Sequence, residues 1–150
     1  MYKTIVAREV RSVWTALDAG DYEPVLRGFA RQFRYENIAA DHALGGTFTT
    51  REEMAQHFAL MFRVFGDLRF TVRDILVSGW PGNTSVIVDV GIAATLADGT
   101  PYENELVQQM TLRWGKVTAV RALIDNVRAR AALDRLAGTG VLDPAAVAVG

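Results

Sequence analysis

One carboxylate stands in an otherwise apolar run. Asp89 interrupts Val86-Ile87-Val88-Asp89-Val90-Gly91-Ile92, whose β-branched residues read as a buried strand. An ionised carboxylate there is costly unless it is paired, hydrogen-bonded or lining a cavity. Burial would raise its pKa towards the range useful for proton transfer, which makes Asp89 a candidate general acid or base. Period-two alternation offers the opposite outcome, with Asp89 on a solvent face. Its small neighbours Gly91 and Ala93 suit a ligand cavity and suit a solvent face equally well. Tyr35 and Asn37 lie two apart on another expected strand, so they share one face, where they could hydrogen-bond each other as core-lining polar residues. Asn104 and Gln108 share a strand face with Leu106, Met110 and Leu112, where an amide needs a hydrogen-bond partner. His57 lies in an apolar helical stripe and reads as a core residue before a catalyst. Asp41-His42 could form an acid/base pair only if two adjacent side chains converged.

Other chemistries lack their residues. The chain has no cysteine, which excludes disulfides and thiol catalysis, and its two histidines come without a Cys/His cluster, so no metal site is expected. It has no glycine-rich phosphate loop and no GxSxG elbow, so no cofactor is expected. The net charge of -1 without a basic run argues against nucleic acid. With no apolar stretch of about 18 residues, neither a transmembrane helix nor a membrane partner is expected. Arg8, Glu9 and Arg11 occupy the place of a signal peptide's apolar core, so a cytoplasmic location is expected.

The 150 residues, 50% hydrophobic and 22% charged, suit one soluble domain. The spacing of Val6, Val10, Val13, Trp14 and Leu17 predicts a helix stopped by Gly20. Asp21 and Pro24 open a shorter helix with Val25, Leu26 and Phe29 as its stripe. A strand follows over residues 32–38, then a loop over 39–49. Thr50-Arg51-Glu52-Glu53 is a capping box before a helix carrying Met54, His57, Phe58, Met61, Phe62 and Phe65, ended by Gly66. Strands are predicted over 68–79, 85–96, 102–114 and 116–125, with turns at Pro81-Gly82-Asn83, Asp98-Gly99 and Gly115. A last helix spans 126–137, capped by Asp125. Residues 1–138 are read as one domain and 139–150 as a small apolar tail. Helices first and a meander afterwards give an α+β class, one curved sheet wrapped against helices.

Four segments resemble the nuclear transport factor 2-like superfamily, with its ketosteroid isomerases, SnoaL-like polyketide cyclases and limonene-1,2-epoxide hydrolases. They are the first helix with its Ala19-Gly20-Asp21 turn, the stretch 50–68 ending Phe65-Gly66-Asp67-Leu68, Tyr102-Glu103-Asn104-Glu105, and Gly115-Lys116-Val117 followed by Arg121 and Ile124-Asp125. The resemblance implies a cone-shaped mixed or antiparallel sheet closed by helices over a deep apolar pocket. It also implies a homodimer through the outer sheet face, which would account for the wall of Val88, Val90 and Ile92, although this chain's own helices could account for it too. Tyr35-Glu36-Asn37 is similar to the water-holding Tyr-x-Asn of the epoxide hydrolases, and Asp89 to the Asp of their Arg-x-Asp. The Arg position holds Ile87, and the second Asp position, after Arg121, holds Ala122. The resemblance thus implies acid/base chemistry without a cofactor on an apolar polyketide-, terpenoid- or steroid-like ligand. Asp89, Tyr35 and Asn37 would be catalytic. Trp14, Phe58, Phe62, Ile87, Gly91, Asn104, Gln108, Met110, Ala122 and Ile124 would line the pocket. The alternatives are a non-catalytic binding or accessory module and an epoxide hydrolase with a degenerate Asp-Arg-Asp site.

Overall fold

The computed structural model describes residues 1–139, so the expected tail lies outside the described residues apart from Thr139. Helix α1 (Tyr2–Asp18) buries Val6, Val10, Trp14 and Leu17, the stripe its sequence spacing defines. Its Asp18 accepts from Arg69 Nε at 2.9 Å and from the Phe70 backbone at 2.8 Å, which fastens the helix to strand β3. Helix α2 (Glu23–Gly28) carries a proline in its first turn, where no backbone hydrogen bond is lost. Strands β1 (Phe29–Asn37) and β2 (Gly46–Phe48) follow. Helix α3 (Arg51–Val64) starts in the expected capping box between Thr50 and Glu53. Strands β3 (Phe65–Trp80), β4 (Asn83–Leu96), β5 (Pro101–Arg113) and β6 (Lys116–Ile124) form the meander. Helix α4 (Asn126–Leu136) is capped by Asp125, which accepts from Val127 and Arg128.

The class is α+β, as expected. The six strands form one mixed sheet in the order β2-β1-β6-β5-β4-β3. Only β1 and β6 pair in parallel. Three boundaries differ from the sequence-based expectation. Phe29, expected in the stripe of the second helix, opens β1 instead, because its backbone is already extended and pairs with Val117. Residues 46–48 lie in the predicted loop but add an antiparallel strand to β1, with Tyr35 opposite Phe48. Gly66 does not end α3 before a connection; β3 begins at Phe65, directly off the helix.

The inner sheet face is set by β4. Val86, Val88 and Val90 are fully buried against Val6, Val10, Trp14, Phe33 and Phe58. Of the two covers expected for that wall, a second copy or this chain's own helices, it is the helices. A second cluster, with Val64, Phe65, Leu96, Tyr102, Leu133 and Leu136, seats α4. Strand β3 contains a bulge, because Val72 pairs with Val90 while Asp74 pairs with Asp89. Arg73 is the extra residue, and the bulge lets both Val72 and Ile75 pack inwards. Among the described residues no helix is long and apolar enough to cross a membrane.

Candidate functional site

A cavity of about 700 Å³ lies between α1, α2, α3 and the inner sheet face. That volume falls within the range of small-molecule sites. Trp14, Phe58, Met110 and Ile124 stand on its wall. Tyr35, Asn37, His57 and Gln108 are among the polar side chains on its wall, with Tyr2, Glu9, Ser12, Arg27 and Tyr102 elsewhere on it.

The sheet register gathers three of them. Asn37, Ala122 and Gln108 lie opposite one another across β1, β6 and β5. Tyr35 lies two residues before Asn37, on the same face. Gln108 Nε2 donates to the Tyr35 hydroxyl at 3.3 Å. Burial pushes the Tyr35 phenol up to about 12, although the bond from Gln108 pulls it partly back. The hydroxyl therefore stays protonated, and its own hydrogen is free for a ligand oxygen. Asn37 Nδ2 is turned to the Gly46 carbonyl, which fixes the β1–β2 edge. Ala122 is buried but is not on the cavity wall; it is the small residue between the two amides. Phe62 is likewise off the wall, stacked on Tyr22.

His57 comes from α3. Its ring lies 4.9 Å from that of Phe48 and 6.3 Å from that of Tyr35, centroid to centroid. Desolvation among these rings pushes its pKa down to about 4, so it is neutral at pH 7. Among the described residues no buried polar side-chain atom lacks a partner, and the His57 ring nitrogens, which bond no protein group, keep access to the void they line. The histidine read as core is thus a cavity residue. Spacing could not separate the two, because a cavity-lining face and a packed face have the same helical period.

Asp89 points the other way. Its side chain is 42% exposed on the outer sheet face, 3.7 Å from Arg73 Nη1. The same guanidinium nitrogen meets Glu105 Oε1 at 2.9 Å. Gly91 is small for the same reason: a Cβ there would stand 3.0 Å from Arg73 Nη2. The small residues thus make room for an arginine rather than a ligand, and Ile87 shares their exposed face. The expectation that Asp89, Ile87 and Gly91 form a pocket is corrected; the inward β4 positions belong to the valines on either side. Asp89→Asn should change unfolding free energy by no more than about 0.5 kcal/mol, since exposed ion pairs are worth little. A urea titration checks this, and a loss above 2 kcal/mol would show a role that the ion pair does not explain.

Asn104 is also corrected. It is buried, but all its polar capacity is used by protein. Oδ1 accepts from Glu105 N at 2.7 Å and Asp125 N at 3.1 Å, while Nδ2 donates to the Tyr102 hydroxyl at 2.6 Å and the Asp125 carbonyl at 3.1 Å. His42 is a loop clamp. Its Nδ1 accepts from Leu44 N, so Nε2 carries the proton and donates to Asn126 Oδ1 at 2.8 Å. Asp41 pairs with Arg130 instead.

The mixed sheet packed against helices is shared with an NTF2-like protein of Burkholderia thailandensis, which superposes with a TM-score of 0.72 at 16% identity over 84% of this chain and 95% of its own. The chain belongs to the SnoaL-like domain family, which matches residues 10–120. PrhC of Penicillium brasilianum shares the fold with a TM-score of 0.80 at 16% identity, covering 95% of each chain. TerC, crystallised with polyporic acid, gives 0.72 at 20% identity over 85% of this chain and 97% of its own. A candidate SnoaL-like polyketide cyclase of Jannaschia sp. gives 0.70 at 18% identity over 87% and 92%. At these identities the likeness establishes the fold alone. No curated protein matches the sequence.

Proposed function

We propose that this protein is a small cofactor-independent enzyme performing acid/base chemistry on an apolar, oxygen-bearing molecule. Polyketide, terpenoid and steroid-like ketones are the class that fits. A protonated donor, Tyr35, and a neutral acceptor, His57, set in one apolar cavity, carry this proposal. Tyr35 would donate to the ligand oxygen as negative charge develops there, in a medium where such a bond is stronger than in water. His57 would take and return the proton, and Gln108 would hold the phenol in place. Isomerisation, cyclisation, dehydration and water addition all share that pair of needs. The cyclase candidate of Jannaschia and the polyporic acid held by TerC support a ligand of this kind. Trp14, Phe58, Met110 and Ile124 would shape its apolar part. Epoxide hydrolysis through an Asp-Arg-Asp site finds no support, because Asp89 lies outside the cavity. A second copy would pack on the outer face, where Leu76 pairs with Ile87 and Val107 with Leu123, all exposed.

One observation favours a binding module as the second possibility: neither Tyr35 nor His57 is ionised at pH 7. Turnover and binding of a panel of such ketones, measured for wild type and Tyr35→Phe, separate the two. An enzyme should lose turnover by about 10²–10³-fold with a smaller change in affinity. Ligands that bind without turning over, or turnover untouched by Tyr35→Phe, would overturn the catalytic proposal.

A further inference from the structure

The end of the molecule formed by two hairpin tips carries two exposed tryptophans. Trp80 ends β3 and is 58% exposed; Trp114 lies between β5 and β6 and is 72% exposed. Their rings meet edge to face at 5.6 Å. Each has a contact at its tip. Trp80 lies over Gly82, where a Cβ would stand 2.3 Å from the indole. The Trp114 backbone donates to the Pro81 carbonyl at 2.7 Å, tying one tip to the other. Trp114 has φ +52 and Gly115 φ +81, the geometry of a two-residue hairpin turn that favours asparagine or glycine. A bulky aromatic in the left-handed region is an outlier, and here it is held mostly in the open.

The segments that meet at this end are basic, with Glu23 at their border and Glu9 farther along α1 on the cavity wall. Segments 1–5, 24–31, 78–84 and 112–117 contain no acidic residue. They are brought together: Tyr2 hydrogen-bonds Thr84 at 2.5 Å, Lys116 donates to the Arg27 carbonyl at 3.1 Å, and Phe29 pairs with Val117. Lys3, Arg27, Arg113 and Lys116 are all exposed there. The ion pairs among the described residues use Arg69, Arg73, Arg121, Arg128, Arg130 and Arg135, and none involves these four cations. The cavity reaches the same end, since Tyr2, Ile5, Pro81 and Gly115 are on its wall.

We propose that this end docks on an anionic lipid surface, with Trp80 and Trp114 in the headgroup layer and the four cations facing lipid phosphates. Indoles prefer the boundary between apolar and wet media, and basic residues are drawn to anionic leaflets. Such docking needs no spanning helix, and it would bring the apolar cavity to a source of apolar ligand. It holds whether the cavity catalyses or only binds.

Flotation with phosphatidylcholine vesicles, with and without about 30% phosphatidylglycerol, tests this. The protein should float with the anionic vesicles only and be released by about 0.5 M NaCl. Its tryptophan emission should shift to the blue on binding. Trp80→Ala with Trp114→Asn should lower binding at least tenfold at an unchanged unfolding midpoint, because asparagine suits the turn. Lys3→Glu with Arg113→Glu should do the same, both side chains being exposed and outside any ion pair. Absence of binding to anionic vesicles at low salt overturns the proposal, and so does binding that survives both pairs of substitutions. Self-association through this end without vesicles, abolished by the same substitutions, also overturns it.

Discussion

Asn104→Leu is expected to lower the unfolding free energy by about 3–5 kcal/mol, although the substitution is close to isosteric. The side chain is 3% exposed and makes four hydrogen bonds, the full capacity of an amide. Two go to the backbone of Asp125 and one to the backbone of Glu105. A leucine would strand those groups, each at about 1–3 kcal/mol where water cannot replace the lost partner. The damage should spread along the chain. Asp125 caps α4, and α4 covers the second core cluster through Leu133 and Leu136. Asn104→Asp keeps the two acceptor contacts and should fall between wild type and leucine. Urea unfolding measures both. A loss under 1 kcal/mol for leucine, with ligand affinity reduced instead, would return Asn104 to the ligand-binding role its position on β5 first implied.

Asn104 and Asp89 show where sequence patterns stop. The elements were legible because their punctuation is local: a capping box at Thr50, a cap at Asp125, a positive-φ glycine after α1. The two faces of β4 were legible as well, since alternation separates the valines from Ile87, Asp89 and Gly91 without any knowledge of the fold. Which face turns inwards was not. That choice depends on where α1 and α3 come to rest, and residue-by-residue likeness to the epoxide hydrolases assigned it the wrong way. The partner that stabilises Asp89 was hidden for a different reason. Arg73 reaches it from a bulge, and a bulge is an extra residue in the register rather than a motif. Tyr35 and Gln108 were each named as polar residues on apolar strands, but their bond crosses a strand, and nothing local encodes a contact between residues 73 positions apart.

Acidification should destabilise the protein between about pH 6.5 and pH 4, and His57 should be the main cause. In the unfolded chain the imidazole has its ordinary pKa of 6.5; in the fold, desolvation holds it at about 4. Between those values the unfolded chain binds a proton that the folded chain does not. Stability therefore rises with pH across this window, and is lost as pH falls through it. A depression of that size corresponds to about 3 kcal/mol at its acid end. The carboxylates held below their ordinary values act in the same direction but lower down. Glu53 starts from 4.5, and Asp18 and Asp98 from 3.8. Their contribution comes mainly below the histidine window. His57→Leu keeps the apolar stripe of α3 and removes the titration, so its unfolding midpoint in urea should be nearly flat from pH 7 to pH 5 where the wild type slopes. The same measurement reports on the cavity. A bound ligand that places a negatively charged oxygen against the ring favours the imidazolium and should flatten the wild-type slope. A neutral ligand that only donates a hydrogen bond to the ring should leave that slope nearly unchanged and extend it to lower pH. Equal slopes for wild type and His57→Leu would remove His57 both as the buried titrating group and as the proton acceptor proposed for the cavity.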